Sequence, residues 1–176
     1  MKVVFLDRDG TVVEEPHDHR IDGVEKIKLF PDSIAALKHL ADNDFSVVFI
    51  TNQAGIGEGR ITEDEYWELH GEVLRQLEPS GANILKTYMN GEADTPTASQ
   101  WRKPGPNMLL QAAKDLDLDL GDIYMVGDSL TDVEAAINAG CKGGILLQTT
   151  YGDIESAEAV HIAPTLMDAA RFVVEN

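Results

Sequence analysis

The chain has 176 residues, 43% of them hydrophobic, and a formal net charge of −17 at pH 7. This length and hydrophobic content predict one globular domain over residues 1–176 and exclude an intrinsically disordered chain. With 14 lysines and arginines against 31 acidic residues, a basic face for nucleic acid or an anionic membrane is not expected, and no apolar run reaches the roughly 18 residues of a membrane span.

Short apolar runs alternate along the chain with amphipathic helical patterns. Strands are predicted at 3–6, 46–50, 84–89, 123–126 and 144–147, with a less regular one at 159–162. Apolar runs without polar alternation are typical of strands buried on both faces of a parallel sheet. Helices are predicted behind Pro31-Asp32, after a capping box at Thr62 and Glu65, over 104–116, after a second capping box at Thr131 and Glu134, and over 165–174. This alternation predicts a doubly wound, three-layer α/β/α fold.

Polar residues follow three of the predicted strands. They are Asp7 and Asp9 after the first, Thr51 and Asn52 after the second, and Asp128 after the fourth, with Asp132 one helical turn later and Lys103 before a helix. Because ligands bind beyond the carboxyl ends of parallel strands, we expect these side chains to meet in one crevice. The acids predict a hard divalent cation, and the lysine and amides predict an anion beside it.

Four motifs in chain order carry a family resemblance: DRDGT, ITN, RKP and GDSLTD. They resemble the motifs of the haloacid dehalogenase (HAD) superfamily of phosphohydrolases, which implies a Rossmann-like fold with a central parallel sheet. The longer stretches FLDRDGT, TNQAGIGEGRIT and RKPGPNML are similar to the small phosphatases that act on heptose 1,7-bisphosphate and histidinol phosphate. Those phosphatases have no large cap domain, and the short intervals between predicted elements leave no room for one here.

The resemblance implies a covalent mechanism. Asp7 would attack phosphorus to form an aspartyl-phosphate, a role that suits a carboxylate because it is already ionised at neutral pH. Asp9 would protonate the leaving alcohol and then activate water. The resemblance also implies that Asp7, Asp128 and the backbone carbonyl of Asp9 hold Mg²⁺, with Asp132 as a supporting residue. Thr51 and Lys103 would hold the phosphoryl oxygens, and Asn52 and Arg102 would bind the substrate.

Several residues have a second interpretation. Asp132 either orients Lys103 or a metal-bound water, or is an early helical acid favoured by the helix dipole. Arg102 is either a bidentate substrate ligand or a surface residue. The HDHR cluster at 17–20 is a loop over the site, a substrate contact or surface, and Arg8 receives no role. Gly55, Gly57 and Gly59 predict a flexible loop on the substrate side, whereas Tyr66, Trp67 and Leu69 predict helix packing.

One stretch departs from the similar phosphatases, which carry a zinc loop of cysteines and a histidine before the RKP motif. The corresponding residues, YMNGEADTPTASQWRKP, contain neither, so no tetrahedral thiolate site can form and no zinc is expected. We expect Trp101 to anchor this loop as a substantially buried side chain. Because the zinc loop shapes the substrate pocket in those phosphatases, its absence leaves the substrate open.

The sequence therefore predicts Mg²⁺-dependent hydrolysis of a phosphate monoester on a small soluble metabolite. The resemblance favours a heptose 1,7-bisphosphate 7-phosphatase, with a histidinol-phosphatase as the alternative. A nucleic-acid end phosphatase and a non-catalytic phosphometabolite-binding module are further alternatives. The lone Cys141 excludes an internal disulfide. We expect a cytoplasmic monomer without nucleic-acid or membrane partners.

Overall fold

Six parallel strands form one sheet in the computed structural model, which describes residues 1–17, 21–148 and 159–176. The strands are β1 (Lys2–Leu6), β2 (Phe45–Asn52), β3 (Asn83–Asn90), β4 (Tyr124–Gly127), β5 (Gly143–Leu147) and β6 (His161–Ala163), in the spatial order β3-β2-β1-β4-β5-β6. The helices are α1 (Ser33–Asp42), α2 (Ala54–Gly57), α3 (Glu63–Leu77), α4 (Asn107–Leu116), α5 (Leu130–Ala139) and α6 (Leu166–Glu175). The predicted α/β fold is confirmed.

Alternate residues of the central strands face opposite layers of helices. In β1, Val4 and Leu6 belong to a buried cluster with residues of α1, α3 and α6, whereas Val3 and Phe5 belong to a second cluster with residues of α4 and α5. Both faces of the sheet are therefore covered, which explains why the strand sequences lack polar alternation. The two clusters account for the three layers of the fold.

The order of the strands reverses at β1. From β1 the chain adds β2 and β3 on one side and then β4, β5 and β6 on the other. The backbone N–H of Asp7 still donates to the carbonyl of Val126 at 2.8 Å, so the ends of β1 and β4 lie side by side. A crevice opens beyond the carboxyl ends of strands at such a reversal, and the candidate site lies there.

Most element boundaries agree with the predictions, and the capping box of Thr62 and Glu65 is confirmed. The second capping box was wrongly placed. Ser129 is the N-cap of α5, and the carboxylate of Asp132 accepts the Ser129 N–H at 3.2 Å. The same spacing of a hydroxyl and an acid occurs two residues earlier than predicted, where the acid is buried.

Four smaller predictions also differ from the structure. The helix predicted from 104 begins at Asn107, because Pro104 to Pro106 form a turn, and β6 covers 161–163 instead of 159–162. The glycine-rich stretch after β2 contains the short helix α2. Leu110 and Ile137, for which helical spacing predicts places on the apolar faces of α4 and α5, are exposed. Among the described helices, none is both long enough and apolar enough to cross a membrane.

Candidate active site

The candidate site is a cavity of about 460 Å³ beyond the ends of β1, β2 and β4. Seven of the eight predicted site residues line it: Asp7, Asp9, Asn52, Arg102, Lys103, Asp128 and Asp132. Thr51 is buried, and its hydroxyl accepts a hydrogen bond from Gln53 Nε2, a cavity residue, at 3.0 Å. His17 is exposed, and the predictions for His19 and Arg20 concern positions outside the described residues.

Lys103 lies at the centre of the buried charges. Its ammonium donates to Asp7 Oδ1 at 2.7 Å, Asp132 Oδ1 at 2.6 Å and the backbone carbonyl of Ile50 at 2.7 Å. Burial alone would lower the pKa of Lys103, but Asp132 and Asp7 raise that pKa above its ordinary value. The side chain is therefore a fixed cation beside Asp7, and Asp132 holds it there. The geometry supports both interpretations of Asp132, because one carboxylate oxygen contacts Lys103 and the other accepts the Ser129 N–H in the first turn of α5.

Asn52 fixes the backbone of Lys103. Its side-chain amide donates to the Lys103 carbonyl at 3.0 Å and accepts from the Lys103 N–H at 3.0 Å. These two bonds join the end of β2 to the segment before α4, across 51 residues of sequence. Asn52 lines the cavity as predicted, but its polar atoms hold Lys103 in this structure. Its direct contact with substrate stays a prediction.

Three carboxylates come together around Lys103. Asp7, Asp128 and Asp132 each offer an oxygen, and these oxygens lie within 4.8 Å of one another. Burial raises the pKa of Asp7 to about 7 and, with the charges of Asp7 and Asp132, raises the pKa of Asp128 to about 8. One ammonium does not neutralise three buried carboxylates, so Asp7 and Asp128 partly retain protons near pH 7, and a further cation would take the place of those protons. Clustered carboxylate oxygens are the donor set that a hard divalent cation prefers, and magnesium fits them.

Glycine is required next to this cluster. Gly10 has a φ of +82°, a left-handed conformation that side chains rarely adopt, and a Cβ there would collide with the carboxylate of Asp128. The close approach brings Asp128 against the turn that follows Asp9. The DRDGT motif therefore requires glycine at this position for two reasons: the left-handed backbone conformation and the space that the carboxylate of Asp128 occupies.

The carboxylate of Asp9 accepts three hydrogen bonds from two side chains. Arg8 donates from Nε to Oδ1 at 2.8 Å and from Nη2 to Oδ2 at 2.9 Å, and Gln53 Nε2 donates to Oδ2 at 2.7 Å. Burial raises the pKa of Asp9, but Arg8 and Gln53 outweigh burial and leave that pKa below its ordinary value. Arg8 and Gln53 were not predicted as functional residues. The only signals in the sequence are the position of Arg8 between two acids and that of Gln53 directly after Thr51 and Asn52.

Two arginines line the outer part of the cavity. Arg102 Nη1 donates to the Glu92 carbonyl at 3.2 Å, and its Nε lies 3.4 Å from Asp94 Oδ1. Arg60, which the sequence did not single out, pairs with Glu58 at 2.9 Å. Each guanidinium group is thus paired with one acid and still lines the cavity.

The prediction that Trp101 anchors the loop from Asn90 to Arg102 is wrong, because its side chain is 44% exposed. Glu92 holds the loop instead. Its Oε2 accepts from Ser99 Oγ at 2.7 Å, from the Ser99 N–H at 3.2 Å and from Asn90 Nδ2 at 3.1 Å. The loop is polar, and hydrogen bonds from residues near both of its ends to the carboxylate of Glu92 take the place of an apolar anchor.

Comparisons with known proteins agree with this geometry. The HAD-hydrolase-like family matches residues 100–170. D-glycero-beta-D-manno-heptose-1,7-bisphosphate 7-phosphatase from Rhodopseudomonas palustris is 37% identical, and the aligned region covers 98% of this chain and 94% of that protein. The chain belongs to the HAD family of phosphatases.

Two further relatives of this HAD phosphatase are informative. Histidine biosynthesis bifunctional protein HisB from Spirosoma linguale is 35% identical over 96% of this chain, but the match spans only 44% of that longer protein. The crystal structure of D,D-heptose 1.7-bisphosphate phosphatase from B. bronchiseptica, complexed with magnesium and phosphate, superposes with a TM-score of 0.89 at 28% identity and covers 99% of both chains. The fold and the phosphatase class are thus shown.

Proposed function

We propose that this HAD phosphatase is a magnesium-dependent phosphomonoesterase that acts on a small phosphorylated metabolite through an aspartyl-phosphate on Asp7. The observation that carries the proposal is the pairing of Asp7 Oδ1 with the buried ammonium of Lys103 at 2.7 Å, at the inner end of an open cavity. Burial raises the pKa of Asp7, and Lys103 acts against burial, so the pair favours the ionised form of Asp7 that attacks phosphorus. The ammonium also supplies a fixed positive charge where phosphoryl oxygens would lie.

In the first step an oxygen of Asp7 forms a bond to phosphorus, and the bond from phosphorus to the alcohol oxygen breaks. Asp9 gives a proton to that oxygen. Because Arg8 and Gln53 lower the pKa of Asp9, the protonated form that reacts is the minor one. In the second step Asp9 takes a proton from a water molecule, the water oxygen attacks phosphorus, and the carboxylate of Asp7 is released. Lys103 and the hydroxyl of Thr51 hold the phosphoryl oxygens in both steps.

A bound magnesium ion would be held by Asp7, Asp128 and the backbone carbonyl of Asp9, and supplies the positive charge that the carboxylates and a phosphate dianion lack. Asp132 would keep Lys103 in place from the opposite side of the cluster. No zinc is proposed, because the loop from 90 to 102 offers neither cysteine nor histidine.

We propose D-glycero-D-manno-heptose 1,7-bisphosphate as the substrate, cleaved at the 7-phosphate. The cavity volume of about 460 Å³ suits a sugar bisphosphate, and Arg60 and Arg102 lie where a second phosphate could be bound. The 37% identical relative carries this activity in its name, which supports the same choice.

Histidinol phosphate is the second candidate, and the charge of the cavity rim favours it. The acids Glu15, Asp22, Glu58 and Asp94 also line the cavity, and a substrate with a protonated amine would meet them favourably. The HisB relative supports this candidate through its name. A nucleic-acid end phosphatase is disfavoured by the net charge of −17.

Phosphate release with a substrate panel tests the function. Heptose 1,7-bisphosphate, histidinol phosphate, nucleoside monophosphates and a duplex with a terminal phosphate are compared by kcat/KM, with magnesium, with calcium and with excess chelator. We expect turnover with magnesium, little with calcium and none with chelator, and a loss of heptose bisphosphate preference in Arg102→Met. Absence of turnover on every substrate, or full activity in chelator, would contradict the proposal. Asp42→Asn, on the exposed surface of α1, is the control variant.

Residues 1–176 are proposed to act as one hydrolase domain, as a monomer in the cytoplasm. The single sheet of the described residues supports one domain, and a lone cysteine suits a reducing compartment. Light scattering at assay concentration tests the monomer directly, since a dimer would double the measured mass.

A further inference from the structure

Arg8 is a buried cation between the two acids of the DRDGT motif. Its side chain is 1% exposed and is among the largest fully buried side chains of the described residues. Its fork binds both carboxylate oxygens of Asp9, at 2.8 Å and 2.9 Å. A bidentate guanidinium–carboxylate pair fixes the direction of the carboxylate as well as its position.

The guanidinium of Arg8 lies over an aromatic ring from an element far away in sequence. The Cζ atom of Arg8 lies 4.8 Å from the ring centre of Tyr66 on α3. The ring of His70 stacks on Tyr66 at 5.7 Å with an interplanar angle of 6°, and His70 Nε2 is bonded to Thr87 Oγ1 on β3 at 2.8 Å. Arg8 is thus supported by a stack that runs from the end of β1 to the edge strand.

A purely structural role does not account for a charged side chain here. The turn after β1 is closed by backbone bonds, since the N–H groups of Val12 and Val13 donate to the carbonyl of Arg8 and need no side chain. Within the described residues, Arg8 Nη1 is buried with no hydrogen-bond partner. If the role were only structural, apolar side chains in place of both Arg8 and Asp9 would serve, because replacing a whole buried ion pair by apolar groups is often neutral or stabilising.

The bonds to Asp9 continue towards the reaction centre. Gln53 Nε2 donates both to Asp9 Oδ2 at 2.7 Å and to Thr51 Oγ1 at 3.0 Å. The acid–base residue and the hydroxyl expected to bind phosphate therefore share one bridging amide. The fork of Arg8 sets the orientation of Asp9 relative to this bridge.

We propose that Arg8, clamped on Tyr66, is a positioning residue that aims the carboxylate of Asp9 for proton transfer to the leaving alcohol. The proposal rests on the proposed function, in which Asp9 is the acid and base. The charge of Arg8 favours ionised Asp9, so the contribution assigned to Arg8 is the direction of the carboxylate and not the supply of the proton. Loss of the fork should then harm reactions that need a proton donor and spare those that do not. A side chain needed only for folding would not distinguish between them.

The test compares two leaving groups in magnesium-saturated enzyme. Release of the leaving group in the first turnover is measured with heptose 1,7-bisphosphate, or the alkyl phosphate that the panel favours, and with 4-nitrophenyl phosphate, whose phenolate leaves without a proton. For Arg8→Met we expect a loss of about 100-fold with the alkyl phosphate and less than about fivefold with the aryl phosphate, since general acid catalysis contributes about 10² to 10⁴. Asp9→Asn should show the same pattern, and Arg8→Lys an intermediate one.

The controls separate positioning from folding. Arg75→Met makes the same substitution on the exposed face of α3 and should leave both rates unchanged. Tyr66→Leu removes the ring beneath Arg8 and should reproduce part of the selective loss, whereas Tyr66→Phe should not. If Arg8→Met does not fold, Arg8→Lys and Tyr66→Leu carry the comparison.

Each remaining outcome overturns the proposal. Equal losses on both substrates in the Arg8 variants, or an Arg8→Lys enzyme that matches the wild type on both, would refute positioning while the selective loss in Asp9→Asn keeps the proposed function. If Asp9→Asn itself shows no selective loss, the acid–base role of Asp9 fails and the role of Arg8 fails with it.

Discussion

The crevice around Lys103 and the loop from Asn90 to Arg102 are built in opposite ways. In the crevice, buried charges are paired over long sequence distances, as in the bond from Lys103 to Asp7 across 96 residues. In the loop, an exposed carboxylate collects neighbours only a few residues away, as Glu92 does with Ser99. The first arrangement exists only when the sheet is formed, whereas the second is local.

This difference separates the chemistry from the choice of substrate. The ends of β1 and β4 position Asp7 and Asp128, and Asn52 at the end of β2 holds Lys103, so the reaction depends on the fold. The loop contributes Arg102 to the cavity without a metal ligand or a buried anchor, so its sequence can change while the reaction is kept. The zinc loop of similar phosphatases can therefore be absent here without loss of the proposed catalytic set.

The largest expected effect is in the crevice, at the nucleophile. Asp7→Asn should lower kcat by at least about 10⁴-fold, or about 5 kcal/mol in the activation barrier, because an amide does not attack phosphorus. Circular dichroism should show an unchanged fold. A variant that keeps more than about a hundredth of the wild-type rate, once deamidation is excluded by mass spectrometry, would disprove covalent catalysis by Asp7.

The second effect concerns the stability of the same crevice. Lys103→Met should lower the free energy of unfolding by about 3–5 kcal/mol, because Asp132 and Asp7 are left buried without their cation. Adding Asp132→Asn to Lys103→Met should restore part of that loss without restoring activity. Denaturant unfolding of the four proteins of this cycle measures the coupling, and strictly additive losses would show that the pair is not coupled.

The third effect is the change in stability of the crevice when magnesium binds. Asp7 and Asp128 have pKa values of about 7 and about 8, well above those of unfolded aspartates, so metal-free protein should lose stability as pH rises from about 4 through 8. Magnesium should return about 1–3 kcal/mol at pH 8.5 and much less at pH 5.5, where it must displace protons. Thermal unfolding with and without magnesium measures this. An equal gain at both pH values, or the same gain in Asp128→Asn, would contradict the assigned site.

The smallest expected effect is in the loop. Glu92→Ala should release the donors of Ser99 and Asn90, so that the loop and the backbone carbonyl that holds Arg102 shift. We expect KM for the bisphosphate to rise about fivefold with kcat nearly unchanged. Trp101→Ala is the matched control and should change neither constant, because the side chain is exposed. A larger effect of Trp101→Ala than of Glu92→Ala would show that the loop is anchored by the tryptophan after all.

The predictions from sequence succeeded where one physical signal dominates. The strands were found because both faces of the sheet are covered, which removes polar residues from runs such as Val47 to Ile50. Only β2 and β3 were predicted too short at both ends, by one or two residues, because hydrogen bonding continues into polar positions such as Asn52. The site residues were found because the strand ends share one edge of the sheet.

The misses share a dependence on tertiary contacts. A charged residue next to two acids gives no sign that it will be buried, and the support of Arg8 by Tyr66 joins positions 58 residues apart. Trp101 looked like an anchor because it is the one large apolar residue of its loop, but the polar groups of the loop are bonded through Glu92. Which of two acids caps α5 was decided by burial of Asp132 beside Lys103.

Direct detection of the covalent intermediate tests the central claim. Asp9→Asn enzyme is mixed with 4-nitrophenyl phosphate and magnesium, quenched in acid during turnover and reduced with borohydride, which converts an aspartyl-phosphate to homoserine. Mass spectrometry of the peptide that contains residue 7 should show homoserine at Asp7, in an amount that follows the burst of nitrophenol. A nitrophenol burst with Asp7 unmodified, or with homoserine at another aspartate, would contradict the account.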